Sequence, residues 1–184
     1  MSRITAEQAL AVLREAELLH APEQIEIALD RMAAAITARL EDRDPLVLMV
    51  MNGAFVVTAG LVSRLRFPLR VGYLHATRYR GETHGGAIDW ITRPRPAVAG
   101  QTVLVVDDIF DEGDTLKAIV DEVRQQGAVA VHSAVLANKR HDRKVSGLTV
   151  DFVGLEIPDR YVFGCGMDYQ EYWRQLPAIY AARD

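Results

Sequence analysis

The sequence predicts an α/β fold built on a parallel sheet. Leu46–Met51 and Val103–Val106 are short apolar runs that stop abruptly at polar residues, as strands buried on both faces do. After the second run come a helical pattern and a further strand-like run, Ala128–Ala137. That strand, helix, strand order implies parallel neighbours joined by a right-handed crossover. With 184 residues, 49% hydrophobic and 25% charged, the chain suits one domain with a full core.

The elements follow in order. Residues 5–40 read as helical. Thr5 and Gln8 fit a capping box, and Ala9, Val12, Leu13 and Ala16 keep helical spacing. A second helical pattern runs from Pro22 to Leu40, with Ile25, Leu29, Met32 and Ile36 on one face. The charged Glu41–Asp44 and Pro45 end it. Leu46–Met51 reads as a buried strand closed by Asn52-Gly53, Ala54–Leu65 as a helix and Val71–Ala76 as a strand. Arg78–Asp89 carries three glycines, mixed charge and little apolar content, and reads as a long mobile loop. Val103–Val106 is the central strand, broken by Asp107, Asp108 and Asp111–Asp114. Leu116, Ile119, Val120 and Val123 then mark a helix that ends at Gly127. Ala128–Ala137 and Val150–Leu155 are strands, and an aromatic tail reaches Tyr169–Trp173.

Composition excludes several function classes. Lys and Arg total 21 against 25 for Asp and Glu, a net charge of −4, so no whole-molecule field draws nucleic acid or an anionic membrane. The single cysteine, Cys165, permits no intrachain disulfide and no zinc site of paired cysteines, and reads as buried packing. The five histidines lack metal-ligand spacing, and His84 and His141 read as exposed and inert. The first residues lack the layout of a secretory signal, and the apolar runs are too short to span a bilayer. These features predict a cytoplasmic protein.

The segment Val103–Leu116, VLVVDDIFDEGDTL, carries the chemistry. A strand end lifts the paired carboxylates Asp107 and Asp108 to the carboxyl edge of the sheet, where open α/β folds place ligands. The turn Asp111–Thr115 then opens a helix whose first amides attract an anion such as a phosphate. Gly113 permits close backbone approach, and Thr115 offers a hydroxyl. Acids beside a phosphate cradle suit a ligand that also carries hydroxyls or Mg²⁺. A ribose phosphate meets that description.

This segment resembles the phosphoribosyl-diphosphate (PRPP) signature of the type I phosphoribosyltransferases: four apolar residues, two acids, two apolar residues, then an acid-x-Gly-x-Thr loop. Met51-Asn52-Gly53-Ala54-Phe55 is similar to the diphosphate-binding loop of the hypoxanthine-guanine phosphoribosyltransferases. Lys139 and Asp151–Arg174, DFVGLEIPDRYVFGCGMDYQEYWR, resemble the purine-binding region of that subfamily. The resemblance covers about residues 5 to 180. It implies the type I phosphoribosyltransferase fold, a parallel-sheet, Rossmann-like core flanked by helices, over roughly residues 40–155. It also implies a small hood subdomain, formed by the N-terminal segment and roughly residues 156–184.

The resemblance also implies roles. Asp107 and Asp108 would hold the ribose hydroxyls. The amides of Glu112, Gly113, Asp114, Thr115 and Leu116 would bind the 5′-phosphate. Asp111 would exchange a proton with purine N7. Lys139 would donate to the purine 6-oxygen, Tyr161 would stack on the base, and the main chain at Val162 and Asp168 would read its 2-position. Asn52, Gly53 and Arg174 would contact diphosphate, and Asp168, Asp107 and Asp108 would supply ligands for Mg²⁺. The loop around Arg78-Tyr79 would close over the site. The implied partners are PRPP and a 6-oxopurine, with no nucleic acid and no membrane, in a homodimer or homotetramer. Four positions depart from the pattern. Glu112 stands where Thr, Ser or Ala is usual, Arg78 precedes the lid tyrosine where Ser is usual, Arg160 replaces Lys and Tyr161 replaces Phe.

Overall fold

The computed structural model describes residues 4–78 and 88–183. In chain order the elements are α1 (Ala6–Glu15), β1 (Glu17–His20), α2 (Pro22–Leu40), β2 (Leu46–Val50), α3 (Phe55–Val62), β3 (Arg70–Arg78), β4 (Ile88–Arg95), β5 (Thr102–Phe110), α4 (Asp114–Gln125), β6 (Ala130–Lys139), β7 (Phe152–Ile157), β8 (Val162–Phe163) and β9 (Ile179–Ala181). Six strands form one sheet in the order β4-β3-β2-β5-β6-β7. All its pairings are parallel except β3 with β4. A second sheet, β1-β9-β8, is antiparallel and joins the two ends of the described chain.

The central strands are apolar on both faces because helices cover both. Leu46, Val47, Leu48, Val103, Leu104, Val105 and Val106 are all buried. Helix α2 turns Ile25, Ala28, Leu29, Met32, Ala33, Ile36 and Leu40 inward, and α4 turns in Leu116, Ile119, Val120 and Val123. Burying each large aliphatic side chain contributes about 1.5–3 kcal/mol, so these two stripes dominate helix docking. Thr5 caps α1 as the spacing requires, accepting from the Gln8 amide at 3.2 Å.

The structure departs from the sequence reading where a strand depends on a distant partner. The predicted helical span 5–40 is interrupted by β1, whose Glu17 and Leu18 pair with Ala181 and Tyr180 of β9. Strand β5 does not stop at Val106: Asp107, Ile109 and Phe110 continue the ladder opposite Val135, Ala137 and Asn138 of β6. Residues 88 and 89, placed in the loop by composition, begin β4 and pair with Arg78 and Thr77. The rest of the expected mobile loop, including Tyr79, lies outside the described residues. Among the described residues, no helix is long and apolar enough to cross a membrane.

Candidate active site

The carboxyl ends of β2, β3 and β5 surround a cavity of about 420 Å³. Its walls are Val50–Gly53, His75–Thr77, Asp107–Ile109, Asp111–Leu116 and Arg174. One wall is the start of α4, which opens at Gly113 with φ 94°. A side chain there would be strained by that φ and would overlap the Phe110 ring. The first helical turn therefore brings backbone amides, and the positive end of the helix, to the cavity. Thr115 lies in the same wall.

Opposite this cradle stand Asp107 and Asp108. Asp108 is only 8% exposed. Burial pushes both carboxyl groups above the usual carboxylate range, and for Asp107 the neighbouring Asp108 adds to the rise. Arg174 opposes the shift at Asp108. Gly53 is required by contact: a Cβ there would overlap the Asp108 carboxylate. Two adjacent acids whose ionised forms are disfavoured suit sugar hydroxyls, or a hard cation that takes oxygen ligands.

Asp111 sits at the head of the turn that leads into α4. Its Oδ2 accepts from Lys139 Nζ at 2.7 Å, and its Oδ1 lies 2.8 Å from His141 Nε2. Burial alone would raise Asp111, but the hydrogen bonds from Lys139 and His141, with the Lys139 charge, win and hold it below the usual carboxylate range. Lys144 Nζ donates to the carbonyls of Phe110 and Asp111 at 2.6 and 2.7 Å and lies 4.0 Å from the Phe110 ring centre. The Val145 amide donates to the Glu112 carbonyl at 2.8 Å. The charged run from Lys139 to Lys144 is therefore a clamp on the β5–α4 turn. This corrects the reading of His141 as exposed: its side chain is 3% exposed.

The remaining predicted residues gather around this centre without all reaching it. Arg174 lines the cavity and donates to the Gly166 carbonyl at 2.7 Å. Its other nitrogen pairs with Asp168 Oδ1 at 2.7 Å, while Asp168 Oδ2 accepts the Glu171 amide at 2.7 Å. Tyr161 is 53% exposed and meets Tyr169 edge-on at 5.1 Å. Val162 is buried in β8. Tyr161, Val162 and Asp168 do not line the cavity, and Lys139 adjoins it through Asp111. His75, Ala76 and Thr77 line it, and the sequence reading does not single them out. Their signal is the strand position itself, since β3 lies beside β2 and ends at the same edge.

Paired acids and a phosphate cradle at the carboxyl edge of a parallel sheet define a sugar-phosphate transferase of the phosphoribosyl type. The family model of the phosphoribosyl transferase domain matches residues 15–171, and the chain belongs to that family. It is similar to the hypoxanthine-guanine phosphoribosyltransferase of Bacillus subtilis, 31% identical over 164 residues, 89% of this chain and 91% of that protein. It is equally similar to the enzyme of that name from Aquifex aeolicus, 31% identical over 173 residues, 93% of this chain and 97% of that one. A solved hypoxanthine-guanine phosphoribosyltransferase from Bacillus anthracis superposes with a TM-score of 0.83 at 28% identity, covering 91% of this chain and 97% of that chain.

Proposed function

We propose that the chain transfers the 5-phosphoribosyl group of PRPP to N9 of hypoxanthine or guanine, releasing diphosphate and the nucleoside monophosphate. The observation that carries this reading is Asp111, held by Lys139 and His141 at the mouth of the phosphate cradle. The relatives' names support the same base class.

Each residue then has a task. The α4 amides and Thr115 fix the 5′-phosphate, and Asp107 and Asp108 fix the ribose. Asn52, Gly53 and Arg174 receive the diphosphate. With both ends held, the C1′–O bond to diphosphate loosens while N9 stands in line, and positioning supplies much of the rate. As the N9–C1′ bond forms, the N7 proton passes to the Asp111 carboxylate. Lys139 donates to the 6-oxygen, and Tyr161 of the β1-β9-β8 sheet covers the base, so that this small sheet acts as the hood over the core. Asp107, Asp108 and Asp168 would hold Mg²⁺, although both Asp168 oxygens are engaged in this structure. When bound, Mg²⁺ neutralises charge on the departing diphosphate. The same reading carries a cytoplasmic location and assembly of two or four copies.

Phosphorus NMR of the protein with PRPP, hypoxanthine and Mg²⁺ tests it. Free diphosphate and a nucleotide monophosphate should appear in equal amounts as PRPP disappears. Binding of PRPP without turnover would instead show a sensor on a transferase fold.

A further inference from the structure

His141 takes no chemical step in the mechanism above, yet its imidazole is 3% exposed and lies against Asp111. Nε2 stands 2.8 Å from Asp111 Oδ1, and Nδ1 accepts the Arg143 amide N–H at 3.1 Å. A ring nitrogen that accepts a backbone N–H carries no proton. This geometry therefore assigns the neutral tautomer with its one hydrogen on Nε2, aimed at the carboxylate. His141 gives Asp111 a hydrogen bond without adding a positive charge.

The second oxygen has a different partner. Lys139 holds Oδ2 at 2.7 Å. On the functional reading given above, on which this inference rests, the same ammonium turns to the 6-oxygen of the purine. Oδ2 is then the oxygen left open, and among the described residues the other nearby cations are engaged elsewhere. Lys144 is committed to the Phe110 and Asp111 carbonyls, and Arg143 pairs with Asp159.

We propose that His141 is the positioning residue of Asp111: it pins Oδ1, so that Oδ2 receives the N7 proton once the base draws Lys139 away. The proton leaves N7 as N9 bonds to C1′, and Asp111 becomes a neutral acid still accepting from His141. A neutral donor suits this role, because an imidazolium would stabilise the carboxylate anion more strongly and weaken it as a base.

The test compares His141→Leu with His141→Gln, whose amide nitrogen reaches the place of Nε2. Leu should lower kcat about 10- to 100-fold, the worth of one hydrogen bond to a charged group, with KM for PRPP unchanged. Gln should recover most of that loss. Unchanged kcat in the Leu variant, or a Gln variant no better than Leu, overturns the proposal. Nitrogen-15 NMR of wild-type His141 gives a readout independent of turnover and of variant folding. An Nε2–H neutral ring supports the proposal, and an Nδ1–H ring or an imidazolium overturns it. If the wild-type protein turns over no base, the functional reading fails, while the ring spectrum still decides whether His141 donates to Asp111.

Discussion

Lys139 Nζ donates to Asp111 Oδ2 at 2.7 Å, joining the residue that would read the base to the residue that would move its proton. The two lie 28 positions apart in sequence. They meet because β5 and β6 are parallel neighbours in register, with Phe110 opposite Asn138, so the turns that leave the two strands stand side by side. Each satisfies the other's charge, and on the proposed function a purine bound at Lys139 would displace that bond.

Asp111→Asn retains the shape but removes the base, and its one amide oxygen can accept from only one of Lys139 and His141. Turnover should fall about 10²–10⁴-fold, the usual contribution of general acid–base help. Titration calorimetry should show PRPP binding retained. An Asn variant with near-normal turnover would remove Asp111 from the mechanism.

Asp107 gives a prediction about stability. Burial and the adjacent Asp108 raise its carboxyl in the folded state, so the native protein binds more protons than the unfolded chain above the ordinary carboxylate pKa. Its contribution is therefore favourable at low pH and is lost as pH rises through the raised value. Asp107→Asn removes that penalty, so Tm should rise at neutral pH and change less in acid, while PRPP affinity falls. Thermal melts without divalent cations at about pH 4.5 and 7.5 check this. A variant less stable than wild type by the same margin at both pH values would show that the two acids do not strain the fold.

Gly113→Ala places a Cβ at φ 94° and against the Phe110 ring. A non-glycine residue in such a sparsely populated backbone region costs about 1–3 kcal/mol, and relief by rotating the turn would misdirect the α4 amides. Urea unfolding should show the destabilisation, and PRPP affinity should drop with it. Unchanged values for both would mean that the turn does not need glycine.

Much of this site is legible in the sequence because its signals are local. The apolar run Val103–Val106, the acids after it and the helical spacing of Leu116, Ile119, Val120 and Val123 lie within one stretch of chain. Asp107 reads as a strand breaker, whereas its pairing with Val135 keeps it in β5, and that pairing is a tertiary fact. His141 and Lys144 are illegible for the same reason. In sequence they belong to a charged run of the kind that water usually surrounds, and their partners Asp111 and Phe110 are named only by the fold. Strand β1 shows the reverse error, since helical residues flank it on both sides and only β9 makes it a strand.

Lys139→Gln addresses how the base is read. An ammonium has three donors and no acceptor, whereas an amide can turn either an oxygen or an NH₂ toward the ligand. Use of 6-oxopurines should weaken, and the gap to adenine should narrow. The ratio of kcat/KM for hypoxanthine to that for adenine, in wild type and variant, measures this. An unchanged ratio would return Lys139 to a purely structural role as a partner of Asp111.

The most direct measurement is turnover of PRPP by the wild-type protein, with Mg²⁺, against hypoxanthine, guanine, xanthine and adenine in parallel. On the proposed function adenine would meet Lys139 donor to donor, and a site that leaves a buried donor unpaired rejects the wrong analogue by roughly 10⁴-fold. The proposed function requires nucleoside monophosphate from hypoxanthine or guanine and almost none from adenine. Equal use of adenine and hypoxanthine, or no product from any base while PRPP still binds, would contradict it.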